Sequence, residues 1–132
     1  MATVQQAPAI SKSIVWISWI LSAIPVLMIL FASSAKLLET PQVMEAMGQF
    51  GFSPSLVVVV GVIELLCTIV YVIPRTSVLG AILLTGLFGG AIVTNVRVGN
   101  PGYYLPLLFG IFAWGGLYLR DPRLRDLIPI KR

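Results

Sequence analysis

The sequence of 132 residues contains no histidine, a single cysteine and few charged residues. The absence of histidine removes the usual imidazole general base and most zinc sites. A lone cysteine, Cys67, excludes both a disulfide scaffold and a Cys-x-x-Cys redox motif. Charged residues make up 11% of the chain, against about 25% in soluble domains. With 58% hydrophobic residues and a mean hydropathy of +0.97, the chain is predicted to be an integral membrane protein.

Four long apolar segments follow one another, separated by turn residues. A helix needs about 20 apolar residues to cross the hydrocarbon layer of a bilayer. The segments are continuously apolar rather than alternating, which favours helices over a β-barrel. The chain is therefore predicted to form one all-α domain over 1–132, an antiparallel bundle of four transmembrane helices. Their predicted bounds are about 14–37, 54–73, 77–97 and 103–119.

The connection between the first two predicted helices carries a short amphipathic segment that begins at Thr40-Pro41. One side of this segment is apolar and the other is polar. The apolar side holds Val43, Met44, Met47 and Phe50, and the polar side holds Gln42, Glu45 and Gln49. This pattern predicts a short helix in the membrane interface or a lid packed on the bundle, and the two are compatible.

The basic residues are unevenly distributed between the two sides of the predicted bundle. An even number of spans places both termini on one side, together with seven of the nine basic residues: Lys12, Arg75, Arg120, Arg123, Arg125, Lys131 and Arg132. Lys36 and Arg97 lie on the other side. Because cytoplasmic loops carry an excess of Lys and Arg, both termini are predicted to be cytoplasmic. The basic tail 120–132 suits anionic lipid head groups, so the net charge of +4 requires no nucleic acid.

The most informative single residue is Glu64, in the middle of the second predicted helix. A carboxylate at that depth is costly unless it is protonated, paired or hydrated, and such residues usually face the bundle interior and mark a site. Thr68 and Tyr71 follow at one and two helical turns, on a similar face. Glu64 is therefore the candidate catalytic residue, with Thr68 and Tyr71 as candidate ligand-binding residues.

Two basic residues complete the predicted site. Lys36 ends the first helix, and Arg97 ends the third helix, one turn after Thr94. The depth of Glu64 permits a direct contact with either cation but does not require one. We predict a polar cavity with Lys36 and Arg97 at its rim, Glu64 at its floor and Thr94 as a further ligand contact. The alternative is a structural hydrogen bond from Glu64, with both cations reaching the head groups.

The third predicted helix also carries small residues. Gly86 and Gly90 form a GxxxG step, which allows two helices to approach closely. Both are predicted to be helix-packing residues. The sequence offers no cluster of His, Cys and carboxylate residues for a metal site, and none is predicted.

Short motifs follow one another in a fixed order from Trp16 to about Pro129. They are Trp16-x-x-Trp19, Ala35-Lys36-Leu37, Ile63-Glu64-Leu65, Ile73-Pro74-Arg75-Thr76, Leu79-Gly80-Ala81-Ile82-Leu83-Leu84, Gly89-Gly90-Ala91-Ile92, Arg97, Trp114 and Leu119-Arg120-Asp121. With these motifs the chain resembles the DoxX-like family of small four-helix membrane proteins. The resemblance implies the bacterial inner membrane and relatives that include a thiosulfate:quinone oxidoreductase subunit, a component of a membrane-associated oxidoreductase complex, and chaperone-like or cargo-receptor-like proteins.

Three hypotheses for function follow. The resemblance implies an accessory or quinone-site subunit of a membrane redox complex, without a cofactor of its own, that binds a quinone at an interface with other subunits or a second copy. The residues suggest instead a stand-alone enzyme or carrier for a small hydrophobic or anionic ligand, with Glu64 beneath Arg97 and Lys36. The third hypothesis is a structural bundle that recruits partners. Whether the protein is an enzyme stays open at this point.

Overall fold

The computed structural model describes residues 11–131, and within that range the regular structure is entirely helical. The helices are α1 Lys12–Leu37, α2 Pro41–Gln49, α3 Pro54–Val72, α4 Ser77–Arg97, α5 Tyr104–Arg120 and α6 Pro122–Leu127, with 3₁₀ turns at Pro74–Thr76 and Pro101–Tyr103. The all-α prediction is confirmed for these residues. Residues 1–10 and Arg132, the last residue of the predicted tail, lie outside the described residues.

Four of the helices, α1, α3, α4 and α5, are long and apolar enough to cross a membrane, as predicted. The spans of α4 and α5 include the 3₁₀ turn that precedes each helix. The ends of α1, α3, α4 and α5 lie within two residues of the predicted bounds. Large apolar side chains cover their outer surface, and Trp16, Leu27 and Val93 are 71%, 64% and 66% exposed. Such a surface is suited to lipid rather than water.

The four long helices pack as a ring in which α1 and α4 each contact both α3 and α5. Two glycines allow the closest approaches. A Cβ atom at Gly80 of α4 would collide with the backbone of Tyr71 in α3, and one at Gly116 of α5 would collide with the Ser22 hydroxyl in α1. Because a side chain at either position would push two helices apart, these glycines fix the spacing of the ring.

Within the described residues, Gly86 and Gly90 do not pack closely against another helix, and the packing role predicted for them stays a prediction. A Cβ atom at either glycine would meet no atom within 4 Å. The buried face of α4 lies elsewhere, and it is formed by Ser77, Gly80, Ala81, Leu84 and Phe88. A GxxxG step provides room for a close contact, but the orientation of the helix in the bundle decides whether a neighbour occupies that room.

The C-terminal segment folds back on the bundle. Asp121 caps α6 by accepting a hydrogen bond from the Arg123 backbone N–H, and Leu124 is buried in the core. Arg125 donates to the carbonyl oxygens of Tyr118 and Leu119. Because the last carbonyls of a helix have no partner within that helix, Arg125 completes the end of α5. The part of the predicted basic tail that the structure describes is therefore anchored to the bundle.

Candidate functional site

A cavity of about 610 Å³ lies among α1, α3, α4 and α5. Its volume falls within the range of about 300–1,000 Å³ that is usual for ligand pockets. Its walls are mostly apolar, with a few polar side chains. The lining residues are Met28, Ile29, Phe31, Ala32, Lys36, Met47, Phe50, Phe52, Val60, Glu64, Gly86, Leu87, Phe88, Gly90, Ala91, Thr94, Asn95, Gly102, Leu105, Pro106 and Phe109. The predicted cavity is present, but it is mainly apolar rather than polar.

Lys36 and Glu64 form a salt bridge in the wall of this cavity. The Lys36 Nζ atom donates to Glu64 Oε1 at 3.0 Å and to Oε2 at 3.1 Å. The two side chains are 11% and 14% exposed. Gly61, one turn before Glu64, makes the contact possible, since a Cβ atom there would lie 3.0 Å from Lys36 Cβ. The direct contact that the sequence left open is therefore made by Lys36.

This salt bridge is a polar group in a mostly apolar cavity wall. A lysine ammonium has three N–H donors, and two of those on Lys36 point to Glu64. One donor is left for an acceptor in the cavity. Because the pair as a whole carries no net charge, it offers an anion little attraction. It suits a neutral molecule that has a hydrogen-bond acceptor, and the apolar surroundings strengthen such a bond.

The rim position predicted for Arg97 is not the one that the structure shows. Arg97 does not line the cavity, and its guanidinium donates to the backbone carbonyl of Phe50. The cations at the ends of α1 and α4 thus have different partners. Lys36 turns inward to Glu64, whereas Arg97 contacts the segment that follows α2.

Thr94 lines the cavity, and its hydroxyl donates to the carbonyl of Gly90 at 2.8 Å. The ligand contact predicted for it stays a prediction. Its neighbour Asn95 also lines the cavity and was not predicted. The Asn95 Nδ2 atom donates to the carbonyl of Ala91 at 2.8 Å. The side-chain amide oxygen takes no part in that bond and can accept another hydrogen bond. The sequence feature that could have identified Asn95 is its amide side chain, which stands next to Thr94 in the last turn of an otherwise apolar helix.

Thr68 and Tyr71 do not line this cavity, and the ligand-binding role predicted for them stays a prediction. Thr68 donates to the backbone carbonyl of Glu64 at 2.7 Å. The Tyr71 hydroxyl donates to the carbonyl of Ala113 at 2.7 Å and bonds the Ser22 hydroxyl at 2.7 Å. Residues two turns apart share a face of a helix, but they lie about 10 Å apart along its axis. Tyr71 therefore belongs to a different layer of the bundle.

The segment 41–52, here called the cap segment, covers one end of the cavity. Its predicted apolar side is partly buried, and its predicted polar side is exposed. Met47, Phe50 and Phe52 line the cavity. The segment is thus a lid packed on the bundle, which is one of the two predicted arrangements. The other, contact with the membrane interface, is compatible with it and stays a prediction.

A ring of four helices of spanning length, with an apolar cavity and a salt bridge inside it, defines a small multi-pass membrane protein. The chain belongs to the DoxX-like family, whose family model matches residues 20–116. The resemblance drawn from the sequence motifs is thereby confirmed. No curated protein and no solved structure matches the chain.

Proposed function

We propose that this protein binds one neutral, carbonyl-bearing lipophilic molecule of the quinone class in the cavity, as a quinone-site subunit of a membrane redox complex. The observation that carries the proposal is the Lys36–Glu64 salt bridge in the wall of an otherwise apolar cavity. An apolar cavity within the bundle suits a ligand that is dissolved in the bilayer. The salt bridge supplies the polar contact that orients this ligand.

The polar groups of the cavity fit both redox forms of a quinone. The third N–H of Lys36 can donate to a carbonyl oxygen of the oxidised form. The Glu64 carboxylate can accept a hydrogen bond from a hydroxyl of the reduced form. Asn95 offers a further amide on the α4 side of the cavity. Because the salt bridge carries no net charge, a neutral ligand is favoured over the anionic ligand of the alternative hypothesis.

The partner that exchanges electrons with such a ligand would be another subunit. The sequence has no histidine and one cysteine, so it provides neither a histidine pair for haem nor the four cysteines of an iron–sulfur cluster. A quinone-site subunit needs no redox centre of its own if its partner carries one. This division of labour favours a subunit over a stand-alone enzyme.

We also propose an antiparallel arrangement of the four long helices, with both termini in the cytoplasm of a bacterial inner membrane. Lys36 contacts Glu64, whereas Ser22 contacts Tyr71. Residue numbers therefore rise along α1 as they fall along α3, which supports opposite directions for these two helices. The orientation in the membrane is supported by the excess of basic residues at the end of the bundle that holds α6.

Binding would be tested with the purified full-length protein in lipid nanodiscs, titrated with decylubiquinone. Decanoate serves as an anionic control with a chain of similar length. We expect saturable binding of the quinone at one molecule per chain and weaker binding of decanoate. Binding of decanoate as tight as that of the quinone would contradict the proposed preference for a neutral ligand.

Two glycines of α4 offer a matched pair of variants for the same titration. Gly90 lines the cavity and Gly89 does not, and a Cβ atom at either meets nothing within 4 Å. Gly90→Leu should fill the cavity and weaken quinone binding at least about tenfold, the loss expected when bulk displaces ligand contacts. Gly89→Leu should bind like the parent. Equal binding by the two variants would place the ligand outside the cavity.

The subunit role needs a separate experiment. We expect the protein, extracted in mild detergent, to co-purify with a larger protein that carries a redox centre. Isolation solely as copies of this chain, with quinone bound, would contradict the subunit role. That result would favour the alternative of a stand-alone quinone carrier.

A further inference from the structure

We infer that Arg97 is a positioning residue that holds the cap segment closed over the cavity and thereby sets the rate at which a ligand enters and leaves. The ligand part of this inference rests on the proposed function. The contact itself is independent of it, since the Arg97 guanidinium donates directly to the Phe50 carbonyl.

The contact joins two helix ends. Phe50 is the C-cap residue that directly follows α2, and Arg97 is the last residue of α4. The last carbonyls of a helix have no partner within it, and a cation is favourable beside them. Arg97 thus satisfies a group of α2 that the helix itself leaves open. Among residues 11–131, this is the one hydrogen bond that connects the cap segment to another helix.

Phe50, whose carbonyl accepts the hydrogen bond from Arg97, also lines the cavity. The Phe50 side chain lines the cavity together with Met47 and Phe52. The backbone of Phe50 cannot move away from Arg97 without moving its ring out of the cavity wall. The hydrogen bond therefore controls whether the end of the cavity is covered.

The backbone on either side of α2 is suited to a change in direction. Glu39, before the helix, has φ of 53°, and Gly51, after it, has φ of 91°. Both values lie in the left-handed region of backbone conformation. A residue in this conformation ends a helix and turns the chain sharply into the next segment. Between these two points α2 is a single short helix of nine residues. It can move as one body when the contact with Arg97 is lost.

Hydrogen–deuterium exchange of the ligand-free protein in nanodiscs would test the contact by itself. In Arg97→Gln, amides of residues 41–52 should exchange at least about fivefold faster, as expected when one hydrogen bond to a charged group is lost. Arg97→Lys keeps a cationic donor and should restore part of the protection. Arg75→Gln is the charge-matched control and should leave this segment unchanged. Unchanged exchange of residues 41–52 in Arg97→Gln would overturn the inference.

Stopped-flow kinetics with decylubiquinone would then test the effect on access. Arg97→Gln should speed association and dissociation by similar factors, so that Kd changes less than either rate. A variant with faster exchange of residues 41–52 but unaltered ligand kinetics would show that the cap segment does not control access. If the parent protein binds no quinone, the proposed function fails, while the exchange experiment still decides whether Arg97 holds the segment.

Discussion

The Nζ atom of Lys36 lies 3.0 Å from Glu64 Oε1, and both side chains are almost removed from solvent. At this distance and in surroundings of low polarity, the two charges attract each other strongly. The attraction offsets the loss of hydration only while both partners are present. The intact pair therefore matters for the stability of the bundle and also lines its cavity.

Removing one member of this pair should therefore cost more than removing both. Glu64→Gln or Lys36→Met alone should destabilise the bundle by about 2–4 kcal/mol, because one buried charge is left without its partner. The double variant Lys36→Met/Glu64→Gln should lose less than the sum of the two single losses. Unfolding in one detergent, followed by circular dichroism, measures all four proteins. Strictly additive losses would contradict a direct interaction.

The glycines of α4 should separate packing from cavity lining. Gly80→Ala places a methyl group against the backbone of Tyr71, which cannot move aside as a side chain could. We expect a loss of about 1–3 kcal/mol, the usual cost of overpacking. Gly89→Ala on the same helix meets nothing within 4 Å and should gain up to about 1 kcal/mol from higher helix propensity. Thermal unfolding should rank the variants in that order, and the reverse order would contradict the close approach of α3 and α4.

Tyr71→Phe should lower stability without changing ligand affinity. The variant removes the hydrogen bonds to the Ala113 carbonyl and the Ser22 hydroxyl, at a cost of about 1–3 kcal/mol. Arg120 still donates to Ser22, so part of this polar layer remains. The exposed Tyr104 provides the control, Tyr104→Phe. A marked fall in quinone affinity in Tyr71→Phe would return Tyr71 to the binding site that the sequence predicted for it.

The proposed orientation predicts which loops are accessible from outside the cell. Cys67 is buried and is first replaced by alanine, so that each introduced cysteine is the sole thiol. In intact cells, a cysteine at Gly99 should react with an impermeant maleimide, and one at Asp126 should react only after the cells are opened. The opposite labelling pattern would place the termini outside the cytoplasm.

Much of the fold could be predicted because it depends on local properties of the chain. A spanning helix requires a long apolar segment, so the segments themselves indicate the number and bounds of the long helices. The apolar and polar sides of α2 follow from helical spacing in the same way. Family membership was also recognisable, because the order of the motifs is a property of the sequence.

The partners of the polar residues were decided by the tertiary structure. Glu64 contacts Lys36 rather than Arg97 because Gly61 allows the end of α1 to approach α3, whereas Arg97 ends beside α2. The rotation of α4 turns Gly90 towards the cavity rather than towards a neighbouring helix. Hydropathy determines that a helix spans a membrane, but it is nearly uniform around these helices. Which face meets which neighbour, and at what depth, is therefore decided by packing between helices that are distant in sequence.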